Sequence, residues 1–324
     1  PCPMLRALPR TPLRCLWTSR HPQSSSSPQT RYPAMLGPQE SPPRLKPLVA
    51  VAQVTSTPDK ERNFASCSAL VREAALRGAC LVFLPEGFDY IGCDPTQTLA
   101  LAEGLDGDLM GRYAELAREC SVWLSLGGFH ERGHDWATTQ RIYNCHVLLD
   151  PAGKMVATYR KTHLCDVELP GRVTMRESSF TNPGSEIVAP VETPAGKLGL
   201  SICYDLRFPE ISLALRGAGA EILTYPSAFT FPTGSAHWEV LLRARAIECQ
   251  SYVVAAAQTG QNHERRTSYG HSLVVDPWGA VVAQCCEGIG LCYAEIDLEY
   301  LHRVRREIPV SGHRRSDLYG TVGL

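Results

Sequence analysis

The chain has 324 residues, 44% of them hydrophobic and 20% charged, with a formal net charge of −1. Such a composition builds one large globular domain or two small ones, and it gives no overall field that would draw nucleic acid or an acidic membrane surface. No apolar run approaches the roughly 20 residues of a bilayer-spanning helix, and the 13 cysteines are scattered without Cys-x-x-Cys pairs, which suits free thiols in a reducing compartment better than a secreted disulfide framework.

Residues 1–45 are a different material from the rest. Arg6, Arg10, Arg14, Arg20 and Arg31 recur among Leu, Ser and Pro, and the first acidic residue is Glu40. This composition marks a mitochondrial transit peptide, with a disordered N-terminal extension as the alternative. Initiation at Met35 would give a shorter cytosolic form, so both mitochondrial and cytoplasmic locations are expected.

Ordered structure is expected from Leu48, where an apolar run to Val54 reads as a strand. A helical pattern follows over 59–77, with Phe64, Leu70, Val71, Ala74 and Ala75 on one side, and Gly78 ends it. Leu81–Leu84 reads as a buried strand closing at Pro85-Glu86. A helix over 109–120 leads to a strand over 122–129, then to strands over 142–149 and 155–159 joined by the turn Asp150-Pro151-Ala152-Gly153. The second half has the same rhythm: a strand over 197–202, a helix from Pro209 to Gly217, a strand over 221–225, a helix over 235–250 and a strand over 252–257. A second Asp-Pro turn, Asp276-Pro277-Trp278-Gly279, joins strands over 271–275 and 281–284. Alternation of this kind predicts an α/β fold with two mixed sheets and helices outside, one from each half, in a single domain over 46–324.

Three strand ends carry chemistry-bearing side chains. Cys203 stands where an apolar strand gives way to Tyr-Asp-Leu-Arg-Phe-Pro-Glu and a helix, a setting with backbone N–H groups and a helix terminus that lower a thiol pKa. The plainer reading is a small buried hydrophobe. Glu86, between Phe83 and Phe88, is expected to be partly desolvated, with its pKa raised toward that of a general base; otherwise it is a surface loop residue. Lys161, after Tyr159-Arg160, is an electrostatic candidate or an ordinary solvated cation. One motif points elsewhere: His130-Glu131-Arg132-Gly133-His134 matches the His-Glu-x-x-His zinc-protease pattern. That pattern needs a helix to bring its histidines together, whereas this segment follows the strand-like Trp123–Leu126 and contains Gly133, so strand and loop without a metal are expected, and a zinc site is the minor alternative.

These stretches together resemble the nitrilase superfamily of carbon–nitrogen hydrolases, and within it the Nit branch. Phe-Leu-Pro-Glu, Tyr-Arg-Lys-Thr-His-Leu, Cys-Tyr-Asp-Leu-Arg-Phe-Pro-Glu, Tyr-Pro-Ser-Ala-Phe, His237-Trp238-Glu239, Arg243-Ala244-Arg245-Ala246 and Tyr269-Gly270-His271-Ser272 stand in family order over about residues 48 to 320. The resemblance implies a four-layer αββα sandwich that forms a homodimer through helices and needs no cofactor. It implies Cys203 as nucleophile, Glu86 as general base, and Lys161 with the Tyr204 backbone N–H as oxyanion donors. It also implies a second active-site glutamate, Glu177 in preference to Glu168, and Arg207 as a clamp for a substrate carboxylate. The substrate class so implied is a small 2-oxo-acid amide: deaminated glutathione, in which a 2-oxoglutaramyl group is linked to Cys-Gly, or, alternatively, 2-oxoglutaramate in an ω-amidase. The loop from Asp166 to Glu186 would decide between them. A catalytically silent interaction protein on the same fold is the remaining alternative.

Overall fold

The computed structural model describes residues 46–169 and 173–323; the leader expected over residues 1–45 lies outside them. In chain order the strands are β1 (Leu48–Val54), β2 (Leu81–Leu84), β3 (Trp123–Glu131), β4 (Tyr143–Leu149), β5 (Met155–Arg160), the hairpin β6 (Asp166–Leu169) and β7 (Val173–Arg176), β8 (Val191–Thr193), β9 (Gly196–Gly199), β10 (Ile222–Thr224), β11 (Tyr252–Ala255), β12 (Ala257–His263), β13 (Arg266–Tyr269), β14 (Leu273–Val275), β15 (Val281–Gln284) and β16 (Gly290–Glu295). Apart from the β6-β7 hairpin they form two mixed sheets. The first runs β13-β12-β1-β2-β3-β4-β5, with β16 also beside β1; the second runs β15-β14-β11-β10-β9-β8.

Alternation along the strands shows how the layers stack. Val49, Val51, Leu81 and Phe83 belong to the core that also holds Leu198, Leu223, Val253 and Val274 of the second sheet. The intervening Ala50, Ala52, Val82 and Leu84 face the helices Lys60–Leu76 and Asp108–Cys120 through Val71, Ala74, Tyr113 and Leu116. Every second residue therefore faces the other sheet and the rest face a helix, as a strand buried on both sides requires. The helices Pro209–Gly217 and Phe231–Cys249 cover the second sheet through Ile211, Leu215, Trp238 and Leu242. The result is an αββα sandwich.

The halves are less separate than their rhythm suggests. β12, β13 and β16 come from the second half but lie in the first sheet. The chain leaves β11 at Ala255 and two residues later pairs in parallel with β1 at Gln53 and Val54, where the Gln258 side chain accepts the Ser56 N–H at 2.9 Å. Two element ends also move. The strand expected to reach Ile202 ends at Gly199, because residues 200–202 leave the ladder for the turn that holds Cys203. The helix expected from Ser235 starts at Phe231 with Pro232 in its first turn, where a missing N–H is harmless. Helices Pro95–Leu101 and Leu298–Glu307, unexpected from the sequence, start at Asp94 and Asp297, whose side chains accept the N–H of Gln97 and Tyr300 in ordinary capping geometry. Among the described residues no helix is long and apolar enough to cross a membrane.

One buried polar link crosses between the sheets. The imidazole of His146 on β4 bonds the Ser125 hydroxyl at 2.7 Å and the Ser201 carbonyl at 3.0 Å, and burial lowers its pKa from 6.5 to about 4. The unfolded chain then binds the proton more readily than the native state. This contribution to stability is complete above pH 6.5 and is lost as pH falls toward 4, by roughly 3 kcal/mol over the full range. We expect His146→Gln to be destabilising at pH 7 and its penalty relative to wild type to shrink at pH 4.5, measured by urea unfolding at both pH values. An equal penalty at both would show that His146 does not resist protonation.

Candidate active site

Four strand or turn ends meet between the sheets. Glu86 follows β2 and Lys161 follows β5; Glu177 opens a short 3₁₀ turn after β7, and Cys203 opens another after β9. Lys161 is 2% exposed. Its Nζ donates to Glu86 Oε1 at 2.9 Å and to Glu177 Oε1 and Oε2 at 3.1 and 2.9 Å. Asn144 of β4 donates Nδ2 to the same Glu86 oxygen at 2.9 Å and to Glu177 at 3.2 Å, and the Cys165 N–H reaches Glu177 at 2.7 Å. The structure thus places Glu177 in the cluster and leaves Glu168 exposed on β6.

Close approach at this point depends on a glycine pair. Gly128 has φ +72°, and a Cβ there would lie 2.8 Å from Glu86 Cα, while one on Gly127 would lie 2.0 Å from the Pro226 ring. The pairing of β3 with β4 slips at this pair, between Leu126 and Phe129, letting the two sheets meet beside Glu86.

Cys203 sits in the left-handed region with φ +45°, an uncommon and strained conformation for a residue with a Cβ. Its N–H donates to Pro226 O at 2.9 Å and the Asp205 N–H donates to Ile202 O at 3.0 Å, whereas the Tyr204 N–H between them has no backbone acceptor among the described residues. Asp205 holds the turn. Its fully buried carboxylate accepts the Ile202 N–H at 2.9 Å, the Tyr159 hydroxyl at 2.7 Å and His163 Nδ1 at 2.7 Å, so the segment ending in Lys161 and the turn starting at Cys203 share one brace. Sequence reasoning missed both Asn144 and Asp205. A polar residue interrupting the apolar run of β4 was the available signal for the first, and an acid two residues into a strand-to-helix turn for the second.

Two expectations about proton affinity are corrected. Burial raises the Glu86 carboxyl, but the Lys161 charge, the thiol and the Lys161 hydrogen bond outweigh it, so the net shift is downward. For Cys203, burial and the Glu86 charge raise the thiol well above its usual value, and the opposing pull of Lys161 is too small. Burial opposes the Lys161 ammonium too, yet Glu177 and Glu86 carry its pKa well upward. The resting cluster is therefore two carboxylates, one ammonium and a protonated thiol.

The cluster forms one wall of a cavity of about 1030 Å³, at the upper end of the roughly 300–1,000 Å³ typical of small-molecule sites. Val167, Met175, Arg176, Phe180 and Thr181 of the 166–186 loop line it, as do Arg207, His237, Arg265 and Arg266. Arg207 bonds His237 Nδ1 at 3.3 Å and lies 5.3 Å from the Phe229 ring centre. It has no carboxylate partner among the described residues and does not brace Glu210. The zinc-protease pattern is extended, as its glycines indicate: His130 and Glu131 end β3, His130 bonds Asp89 at 3.0 Å, Glu131 bonds Arg160 at 2.5 Å, and His134 is exposed in the following turn.

Fold and comparison together define the class, a hydrolase acting on amide C–N bonds: the family model described as Carbon-nitrogen hydrolase matches residues 48–306. The chain belongs to the carbon-nitrogen hydrolase family. It is similar to deaminated glutathione amidase of Homo sapiens, with 69% identity over 277 residues covering 86% of this chain and 85% of that protein. With deaminated glutathione amidase of Bos taurus the identity is 65% over 294 residues, covering 87% and 90%. Among solved structures it resembles the Caenorhabditis elegans NitFhit protein, with 52% identity and a TM-score of 0.81 over 85% of this chain and 66% of that one.

If the Glu86 carboxylate helps keep the proton on sulfur, Glu86→Gln should let Cys203 ionise more easily. The pH profile of its alkylation by iodoacetamide, followed by peptide mass spectrometry, should move to lower pH. An unmoved profile would leave burial as the whole cause.

Proposed function

We propose that the protein hydrolyses the amide bond of deaminated glutathione, releasing 2-oxoglutarate and Cys-Gly through a thioester on Cys203. The observation that carries the chemistry is a buried ammonium, Lys161, within hydrogen-bond reach of two carboxylates and lining one cavity with a thiol. As Cys203 sulfur attacks the carbonyl carbon, Glu86 takes the thiol proton. The carbonyl oxygen becomes an oxyanion beside Lys161 and the Tyr204 N–H, donors that act where charge develops and so favour the transition state over bound substrate. Collapse of the tetrahedral species breaks the C–N bond, and Glu86 returns the proton to the leaving amine. A water then gives its proton to Glu86 and attacks the thioester, and the sulfur recovers a proton as it leaves. Glu177 fixes Lys161, and Arg207 holds the 2-oxo acid carboxylate in bidentate fashion.

The choice of substrate is supported by identities of 69% and 65% to proteins named for that activity and by a cavity larger than a free primary amide would fill. Purified protein should hydrolyse deaminated glutathione with a higher kcat/KM than 2-oxoglutaramate or simple nitriles, read by mass spectrometry. Cys203→Ala should abolish turnover with the fold retained. Preference for 2-oxoglutaramate would move the chain to the ω-amidase reading, full activity of Cys203→Ala would remove the thioester, and a folded but inactive wild type would favour an interaction protein.

The functional unit we infer is a homodimer joined through helices. The helix Phe231–Cys249 keeps Val240 68% and Ile247 51% exposed, two turns apart on one face, and Trp278 is a further exposed apolar residue at 57%. Apolar side chains grouped in this way suit an isologous contact. Light scattering should give twice the chain mass for wild type and less for Val240→Glu. A monomeric wild type would remove the inference.

A further inference from the structure

Deaminated glutathione has a carboxylate at each end, one on the 2-oxo acid and one on the glycine of the leaving Cys-Gly. Arg207 accounts for the first. We propose that Arg266 binds the second, so that this arginine selects a dipeptide leaving group over ammonia; the proposal rests on the amidase reading above.

Arg266 begins β13 and lines the same cavity as Cys203 and Arg207. Its Nη2 donates to the Ala228 carbonyl at 3.1 Å, and the Ala228 backbone is also a hydrogen-bond partner of the Cys203 sulfur. One residue therefore links the guanidinium to the nucleophile. The same charge is felt at Glu86, where it helps hold the carboxyl down, which places it within electrostatic reach of the reacting atoms. Among the described residues its Nε is buried without a hydrogen-bond partner and the guanidinium has no carboxylate partner. A buried guanidinium donor without an acceptor costs free energy, and a ligand carboxylate would supply the acceptor. Of the other cations lining the cavity besides Arg207, Lys161 is committed to Glu86 and Glu177, and Arg176 and Arg265 are exposed, so neither shares the buried free donor of Arg266. Arg207 follows Cys203 on its own turn, whereas Arg266 reaches the cavity from β13 in the other sheet. Two guanidiniums from different sheets thus offer sites for a substrate charged at both ends, with the scissile amide between them.

The test is a selectivity ratio, kcat/KM for deaminated glutathione divided by kcat/KM for 2-oxoglutaramate. The two share an acyl group and differ in the leaving group, so a fold defect from Arg266→Gln lowers both terms and cancels. Loss of a desolvated charge partner lowers binding enough for a fall of roughly 30-fold or more in the ratio; Arg266→Lys, which keeps the charge without the fork, should give an intermediate value. A second measurement needs no variant: with wild-type enzyme, the substrate whose glycine carboxylate is converted to a carboxamide should lose a similar factor. An unchanged ratio in Arg266→Gln, or an undiminished rate on the carboxamide, overturns the proposal while leaving the amidase reading in place. A wild type that cleaves 2-oxoglutaramate and not deaminated glutathione overturns the deaminated-glutathione reading and this assignment with it.

Discussion

Lys161 is 2% exposed, and taking an ammonium out of water costs several kcal/mol unless carboxylates accompany it. That requirement organises the interior. Glu86 must come from the end of β2 and Glu177 from the turn after β7 to bring their oxygens to it, and Asn144 of β4 donates to both carboxylates. Two separate stretches are thereby pinned to one nitrogen, and β4 is pinned to their carboxylates. Removing the ammonium would leave two buried carboxylates uncompensated, a loss of about 3–5 kcal/mol in comparable buried pairs. The cluster is for that reason a constraint on the fold as well as a chemical centre.

The second sheet is brought to this point by different means. Asp205 ties the Cys203 turn to Tyr159 and His163 on either side of Lys161, and His146 ties β4 to Ser201, two residues before the thiol. Gly127 lets the Pro226 ring touch β3, and Pro226 in turn accepts the Cys203 N–H. These contacts hold Cys203 at φ +45°. A strained backbone at a residue with a Cβ persists only where its surroundings over-determine it, and here hydrogen bonds from both sheets do so.

Much of this was legible in the sequence because the relevant signals are local. Apolar runs of strand length, Gly78 after a helix, and two Asp-Pro-x-Gly turns gave most elements, and the position of Glu86, Lys161 and Cys203 at strand ends follows from the run lengths before them. What was illegible is non-local. Nothing in the residues of β12 and β16 states that they pair with β1, since that pairing depends on contacts made some 200 positions away, such as Gln258 with Ser56. The signs of the pKa shifts failed for the same reason. A glutamate flanked by Phe83 and Phe88 reads as desolvated and raised; the lysine that reverses the shift lies 75 positions on. Arg266 carries no sequence signal at all, because an arginine beside Arg265 in a hairpin reads as solvated surface until the Ala228 carbonyl is found against it.

The resting protonation state shapes how the proposed reaction must run. A free thiolate beside Lys161 would be a reactive nucleophile and a target for oxidants, whereas here burial and the Glu86 charge keep the proton on sulfur. The Glu86 carboxyl is held down at the same time. Transfer of the proton from Cys203 to Glu86 before attack is therefore uphill, because it exchanges a carboxylate that Lys161 stabilises for a thiolate that burial disfavours. If sulfur–carbon bond formation accompanies the transfer, the negative charge does not remain on sulfur but moves to the carbonyl oxygen. Lys161, relieved of part of its interaction with a now protonated Glu86, is then free to interact more strongly with that oxyanion. The ammonium keeps a nearly constant number of negative neighbours through the step, Glu177 and one other, and little reorganisation of buried charge is needed. On this argument the two carboxylates have separate duties that follow from geometry alone: Glu86, bonded to Lys161 and facing the thiol, is the one whose charge can change, while Glu177, saturated by Lys161, Asn144 and the Cys165 N–H, is the one whose charge must stay.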